Sequence, residues 1–286
     1  MFSIIGQHSN TIARRPVPFY VLTGLRLLLL ATLLGNASIS YAQLVNGGSV
    51  TGAITTAGQV DSYYFDGNAG ETVRIRVGDT GATSLFPRVE LFSSTNVSQS
   101  FGDGTNAAWI SFTLPANDTY EVQVSDGSAG GNNTGGYILH FAQMPGANEF
   151  GVLPTSAVTL NSISLADIDT YTFEANAGAD IEVTVIDLNS TALFSRVDLF
   201  GPDGTWLGQG DGPVTATLNE VLTTSGTYTL AVYDGGSGGA NTGDYSIELT
   251  GTGIIDSYGI RVPLPAGAML VLALAFLAIA RRRFRR

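Results

Sequence analysis

Residues 61–139 align with residues 169–247 at a constant offset of 108 without a gap, and 31 of the 79 positions are identical. DSYYF at 61–65 faces DTYTF at 169–173, LFPRVELF at 85–92 faces LFSRVDLF at 193–200, and DGSAGGNNTGGY at 126–137 faces DGGSGGANTGDY at 234–245. Shared turn glycines at one shared offset mean two copies of one unit, each of about 100 residues. A period this long is not that of a solenoid repeat that borrows its neighbour's core. Each copy is expected to bury a core of its own.

Within each copy the apolar residues alternate. In Thr72-Val73-Arg74-Ile75-Arg76-Val77 every second residue is apolar, and Asp180-Ile181-Glu182-Val183-Thr184-Val185 keeps the phase while its outward residues change. That pattern predicts strands with one buried and one wet face, which places Arg74 and Arg76 in water. Tyr63 and Phe65 with Tyr171 and Phe173, Val89 and Leu91 with Val197 and Leu199, and Tyr120, Val122 and Val124 with Tyr228, Leu230 and Val232 are the expected core. Clusters of Gly, Asn, Asp and Ser separate seven or eight strands per copy, and no stretch of the repeats has helical period. The fold class is all-β: two tandem antiparallel, jelly-roll-like β-sandwiches spanning 43–146 and 147–253.

Both ends read as addresses. Arg14, Arg15 and Arg26 precede an apolar run at Leu27–Leu34, and Ser40-Tyr41-Ala42 offers small residues before Gln43. This is a signal peptide over 1–42, with signal peptidase cutting between Ala42 and Gln43; an uncleaved anchor is the alternative. At the other end, 254–286 holds a linker, Val262-Pro263-Leu264-Pro265-Ala266, an apolar helix over 267–280, and a terminal cluster of five Arg around Phe284. The helix is shorter than the ~20 residues of a comfortable span, and its cationic end stays on the cytoplasmic side of the inner membrane. It suits a transient stop; a plain single-pass anchor is the alternative.

The chemistry left between these ends is sparse. There is no Cys and no Lys, which removes thiolate nucleophiles, Cys-ligated metals and Schiff-base chemistry. His8 leaves with the signal, and His140 corresponds to Glu248 in the second copy, an exchange that reads as an outward, unspecialised position. Without a base and an orienting partner the chain is read as no enzyme. The net charge is −11, but residues 43–262 carry only five Arg against all 24 acids, a formal −19. A body this acidic repels nucleic acid.

Three sets of residues remain as candidates. Asp103 and Asp211 sit in Asp-Gly turns, and Asp126 and Asp234 open Gly-rich turns with Asn133 and Asn241 seven residues on. These loops read as solvated hairpin turns or as structural calcium sites, since calcium takes oxygens from such turns. Arg88 and Arg196, each two residues before an acid, read as exposed ion pairs or as forks to a loop carboxylate. Trp109 and Trp206 align with Thr217 and Ser98, so neither is repeated. Either could serve as a platform for sugar stacking, with Trp206 beside a Gly-rich turn.

The order D-x-Y-x-F, A-G turn, alternating strand, L-F-x-R-V-[ED]-L-F, D-G turn, T-Y strand and G-x-Y ending resembles the bacterial pre-peptidase C-terminal domain in both copies. The first copy has Asn117-Asp118 before Thr119-Tyr120, and the second Ser225-Gly226 before Thr227-Tyr228. The resemblance implies a β-sandwich, often appended to secreted proteases, with calcium binders among its members. The tail, with its VPLPA motif, apolar helix and Arg cluster, is similar to a PEP-CTERM sorting signal. That implies an exosortase-type processing enzyme, cleavage near Pro263–Ala266, and a bacterium with an extracellular matrix. Together these features lead to a non-enzymatic, exported envelope or matrix protein that binds calcium, extracellular polysaccharide or a neighbouring protein. The alternative is an accessory subunit or binding module of a secreted hydrolase.

Overall fold

The computed structural model describes residues 42–81, 84–188, 193–236 and 238–255. The first copy holds β1 (Ala42–Gln43), β2 (Gly48–Ile54), β3 (Val60–Gly67), β4 (Thr72–Asp79), β5 (Pro87–Phe92), β6 (Ser98–Asp103), β7 (Ala107–Thr113), β8 (Asp118–Asp126) and β9 (Gly135–Met144). The second holds β10 (Thr159–Ile163), β11 (Asp169–Asp187), β12 (Ser195–Phe200), β13 (Trp206–Gly212), β14 (Thr215–Val221), β15 (Gly226–Asp234) and β16 (Gly243–Ile255). Among the described residues the protein is all-β, and no helix there is long and apolar enough to cross a membrane. The signal segment through Tyr41 and the tail with its sorting motif lie outside the described residues.

In the first copy one sheet runs β1-β3-β8-β5-β6 and the other β2-β9-β4-β7. All pairs are antiparallel except β1, which lies parallel to β3. The second copy repeats this order with one change: β11 does the work of both β3 and β4. Its first half pairs with β15 and its second half with β14 and β16. The ladder to β16 shifts between Ala175 and Asp180, where Gly178 turns at φ 86°. At the matching Ala69-Gly70 the first copy breaks the strand outright, so eight strands beside β1 become seven. The bulge lets one strand bend from sheet to sheet without losing its pairing.

The alternating residues fill two separate cores. One gathers Phe65, Val73, Ile75, Val89, Leu91 and Val122 with their neighbours, and the other Phe173, Ile181, Val183, Val197, Leu199 and Leu230. Tyr120 and Tyr228 are buried among them, and each hydroxyl donates to a backbone carbonyl four residues upstream, Ala116 O and Thr224 O. This explains why Thr-Tyr recurs at the start of that strand. The preceding residues differ yet act alike: Asn117 Oδ1 and Ser225 Oγ accept from the N–H groups of Ala69 and Ala177, each at 2.8 Å.

The expectation of a wet outer face on β4 is corrected. Every residue from Thr72 to Gly78 is buried. Val73, Ile75 and Val77 face the core, while Arg74 and Arg76 are covered by the second copy. Between the copies Ala142, Met144 and Ala147 pack against Ile168, Phe200 and Ala231 as a third apolar cluster. The first copy presents β4 and β9, and the second presents β12 and β15. The equivalent β11–β16 face of the second copy stays open, with Glu182 exposed and Thr184 and Glu248 partly exposed.

Candidate functional site

Where the two sandwiches meet, three of the four Arg in the described part of the chain converge. Arg74 Nη2 stands 2.5 Å from Asp198 Oδ2, and Arg196 Nε stands 3.1 Å from Asp198 Oδ1. Tyr233 donates its hydroxyl to Asp198 Oδ2 at 3.0 Å. Asp198 is fully buried and shared by two guanidinium groups and a phenol. The Tyr233 ring lies under all three cations, at 4.4 Å from Arg74, 5.0 Å from Arg76 and 5.7 Å from Arg196. Burial raises the Tyr233 hydroxyl above its ordinary pKa, against the pull of Arg74 and Arg196, so it remains a neutral donor.

Arg76 has no such carboxylate. It is 3% exposed, its Nη2 donates to the Gly239 carbonyl at 2.6 Å, and its Nε makes no hydrogen bond. Burial pushes its guanidinium down to about 10, still charged at neutral pH.

These side chains form the floor of a cleft of about 250 Å³. Ser111 and Trp109 of β7 line it from the first copy, and Trp206 with Asp234 and Gly235 from the second. Trp109 is 55% and Trp206 48% exposed. The two unrepeated tryptophans, far apart in sequence, therefore flank one opening. An exposed aromatic pair beside cations and hydrogen-bonding groups can stack a flat apolar face and orient a polar ligand.

Sequence reasoning found the tryptophans and missed the arginines. The missed signal was the difference between the copies. Arg74, Arg76, Ala142 and Met144 stand where the second copy has Glu182, Thr184, Thr250 and Thr252. Ala231 and Tyr233 stand where the first has Gln123 and Ser125. Outward faces that diverge this way face different surroundings. His140 is a related correction: it points outward from its sandwich but is 8% exposed, and its Nδ1 lies 3.0 Å from Asp167 of the second copy.

The loop acids each have protein partners. Asp126 accepts from the N–H groups of Asn133, Ser128 and Phe86 and from the Ser128 hydroxyl. Asp234 likewise accepts from the N–H groups of Asn241, Gly236 and Phe194. These carboxylates brace their loops from within, and the donors hold Asp126 below its ordinary pKa against the effect of burial. Asn133 and Asn241 are tied to them through their own amides. Asp103 pairs with Arg88 at 3.2 Å, while Asp211 lies 3.9 Å from Arg196. Arg88 also reaches Glu90 at 3.5 Å, so the same-strand pair and the link to a second acid coexist. Among the described residues, carboxylates converge in one other place, where Glu149, Asp167 and Asp169 come within 4.8 Å of one another. Burial raises Asp169 to about 8 and Glu149 to about 7. Burial opposes the ionisation of Asp167, but His140 and Ser164 hold it down to about 2.

At the amino-terminal end Ala42 and Gln43 form β1, both exposed, and Leu44 is buried in the first core. A cut between Ala42 and Gln43 therefore leaves the anchoring Leu44 in place.

Residues 59–126 match the family model described as the bacterial pre-peptidase C-terminal domain. No curated protein matches the chain. Among solved structures, similarity is found to a periplasmic inhibitor of g-type lysozyme from Aeromonas hydrophila, 15% identical, over 37% of this chain and 96% of that one, with a TM-score of 0.31. The pre-peptidase C-terminal domain of a Bacillus anthracis collagenase is also 15% identical, over 37% and 99%, with a TM-score of 0.31. A tandem CBM22 pair from Paenibacillus barcinonensis Xyn10C is 9% identical over 73% and 93%, with a TM-score of 0.23. Identities and scores this low carry no property of those proteins to this chain.

Proposed function

We propose that the protein is an exported, non-catalytic module of a bacterial envelope or matrix that holds extracellular polysaccharide in the cleft between its two sandwiches. The observation that carries the reading is the pair of half-exposed tryptophans, one from each copy, at the mouth of a single cleft floored by arginine. Each half-exposed indole offers a flat apolar face, and sugar rings carry apolar faces that stack on it. The signal segment and the match of 59–126 to the pre-peptidase C-terminal family support export. In this reading signal peptidase acts at Ala42–Gln43, and the VPLPA tail passes the chain to an exosortase-type enzyme at the inner membrane.

Affinity electrophoresis of the full chain through gels holding a panel of bacterial polysaccharides tests this. At least one polysaccharide is expected to retard the wild type. Each of Trp109→Ala and Trp206→Ala should weaken that retardation about tenfold, the loss of roughly 1.5 kcal/mol of stacking. Equal retardation of wild type and the double variant would remove the reading.

A further inference from the structure

We infer that the cleft selects acidic saccharides, with Arg76 as the residue that receives a sugar carboxylate. This rests on the polysaccharide reading and adds the substrate class. The cleft wall contains two carboxylates, and both are committed. Asp198 is held by Arg74, Arg196 and Tyr233. Asp234 takes three backbone N–H groups of its own loop and neighbouring strand. Neither stands within ion-pair distance of Arg76 among the described residues, and Asp234 and Asp167 act on its charge only through space. Its direct contacts are neutral: the Gly239 carbonyl and the Tyr233 ring.

A guanidinium buried to this degree loses its hydration and is ordinarily matched by an acid. Here its Nε is left without any acceptor. The second copy has Thr184 at the equivalent position, so the cation is not demanded by the sandwich itself. It is present only where the second copy closes over β4 and forms the cleft. The charge pattern agrees: in a body of formal charge −19, three Arg meet at one opening. A carboxylate is the group a cation at the cleft floor attracts, and a pyranose ring carrying it can lie against Trp109 or Trp206.

The test compares a uronic-acid tetrasaccharide with the same tetrasaccharide after its carboxyl groups are reduced to alcohols, by calorimetry with the full chain in detergent. The acidic form is expected to bind at least tenfold more tightly, with affinity falling as salt rises. Arg76→Gln should abolish the preference for the acidic form over the reduced form, and an undiminished preference in this variant overturns the assignment of Arg76. Arg76→Lys should restore part of the preference. Equal binding of the two sugars to wild type overturns this inference and leaves the polysaccharide reading standing. Binding of neither overturns this inference, and retardation by the polysaccharide panel then decides the reading beneath it. Should Arg76→Gln fail to fold, Arg76→Lys decides: a preference undiminished from wild type overturns the assignment of Arg76.

Discussion

At the scale of single residues, the two copies share a buried relay. Tyr137 donates to Asp61 at 2.7 Å and meets the Tyr63 hydroxyl at 2.6 Å; Tyr245 donates to Asp169 at 2.6 Å and meets Tyr171 at 2.7 Å. The relay was legible as the repeated D-x-Y and G-x-Y, although its hydrogen bonds were not. Its environment differs between copies, because Glu149 and Asp167 come against Asp169 alone. With Asp169 raised to about 8 and Glu149 to about 7, the folded protein holds more protons than the unfolded chain from about pH 4 to 8. Stability therefore falls as pH rises through that window. Asp167 has the opposite sign, but its contribution is lost only as pH falls from about 4 towards 2, below the window. Melting should thus occur a few degrees lower at pH 9 than at pH 5. Asp169→Asn, which keeps an acceptor for Tyr245 without a charge, should remove most of that difference. An unchanged pH slope in the variant would contradict the assignment.

At the scale of elements, the two G-D-G turns carry a backbone requirement. β6 and β7 are edge strands of different sheets in the first copy; their counterparts β13 and β14 lie in one seven-stranded sheet, β13 at its end beside β12 and β14 beside β11. A Cβ on Gly102 would stand 2.1 Å from the Trp109 carbonyl oxygen, and one on Gly210 2.4 Å from that of Thr217. Backbone lies on backbone where the sandwich closes, and only glycine permits it. Gly210→Ala should therefore cost about 1–3 kcal/mol by thermal melting, as overpacking does. Asp211→Asn, next to it and largely exposed, should stay within about 0.5 kcal/mol. The shared glycines were visible in the repeat, but their reason was not. A G-D-G turn can serve a calcium ion, a hairpin or a close crossing, and sequence spacing is the same for all three.

At the scale of the whole molecule, the copies pack through unlike faces, β4–β9 of the first on β12–β15 of the second. Such a head-to-tail contact can propagate unless the outer faces differ. Here they do: Glu182, Thr184 and Glu248 occupy the free β11–β16 face, and Glu90, Gln123 and Ser125 the free β5–β8 face. The interface depends on its buried ion pair. Asp198→Ala leaves Arg74 and Arg196 without their shared acid and should cost about 3–5 kcal/mol. Arg74→Met keeps the apolar stem, leaves Asp198 with Arg196, and should cost less. Calorimetry should resolve two transitions in Asp198→Ala where wild type melts in one, and protease should cut sooner near Met144–Ala147. Equal losses in the two variants would show that the pair is not what couples the sandwiches.

The strand period and the offset of 108 were enough to determine the β-sandwich cores, since burial of alternate side chains is local to each copy and leaves its mark at every second residue. Tyr63, Val89, Val122 and their partners were identifiable for that reason. The orientation of one copy on the other left no periodic mark. Trp109 and Trp206 lie 97 positions apart, and nothing in strand alternation distinguishes an outward residue in water from one beneath a second domain. Only the tertiary structure turned Arg74 and Arg76 from a wet face into a buried one, because packing between domains depends on the shape and charge of two whole surfaces.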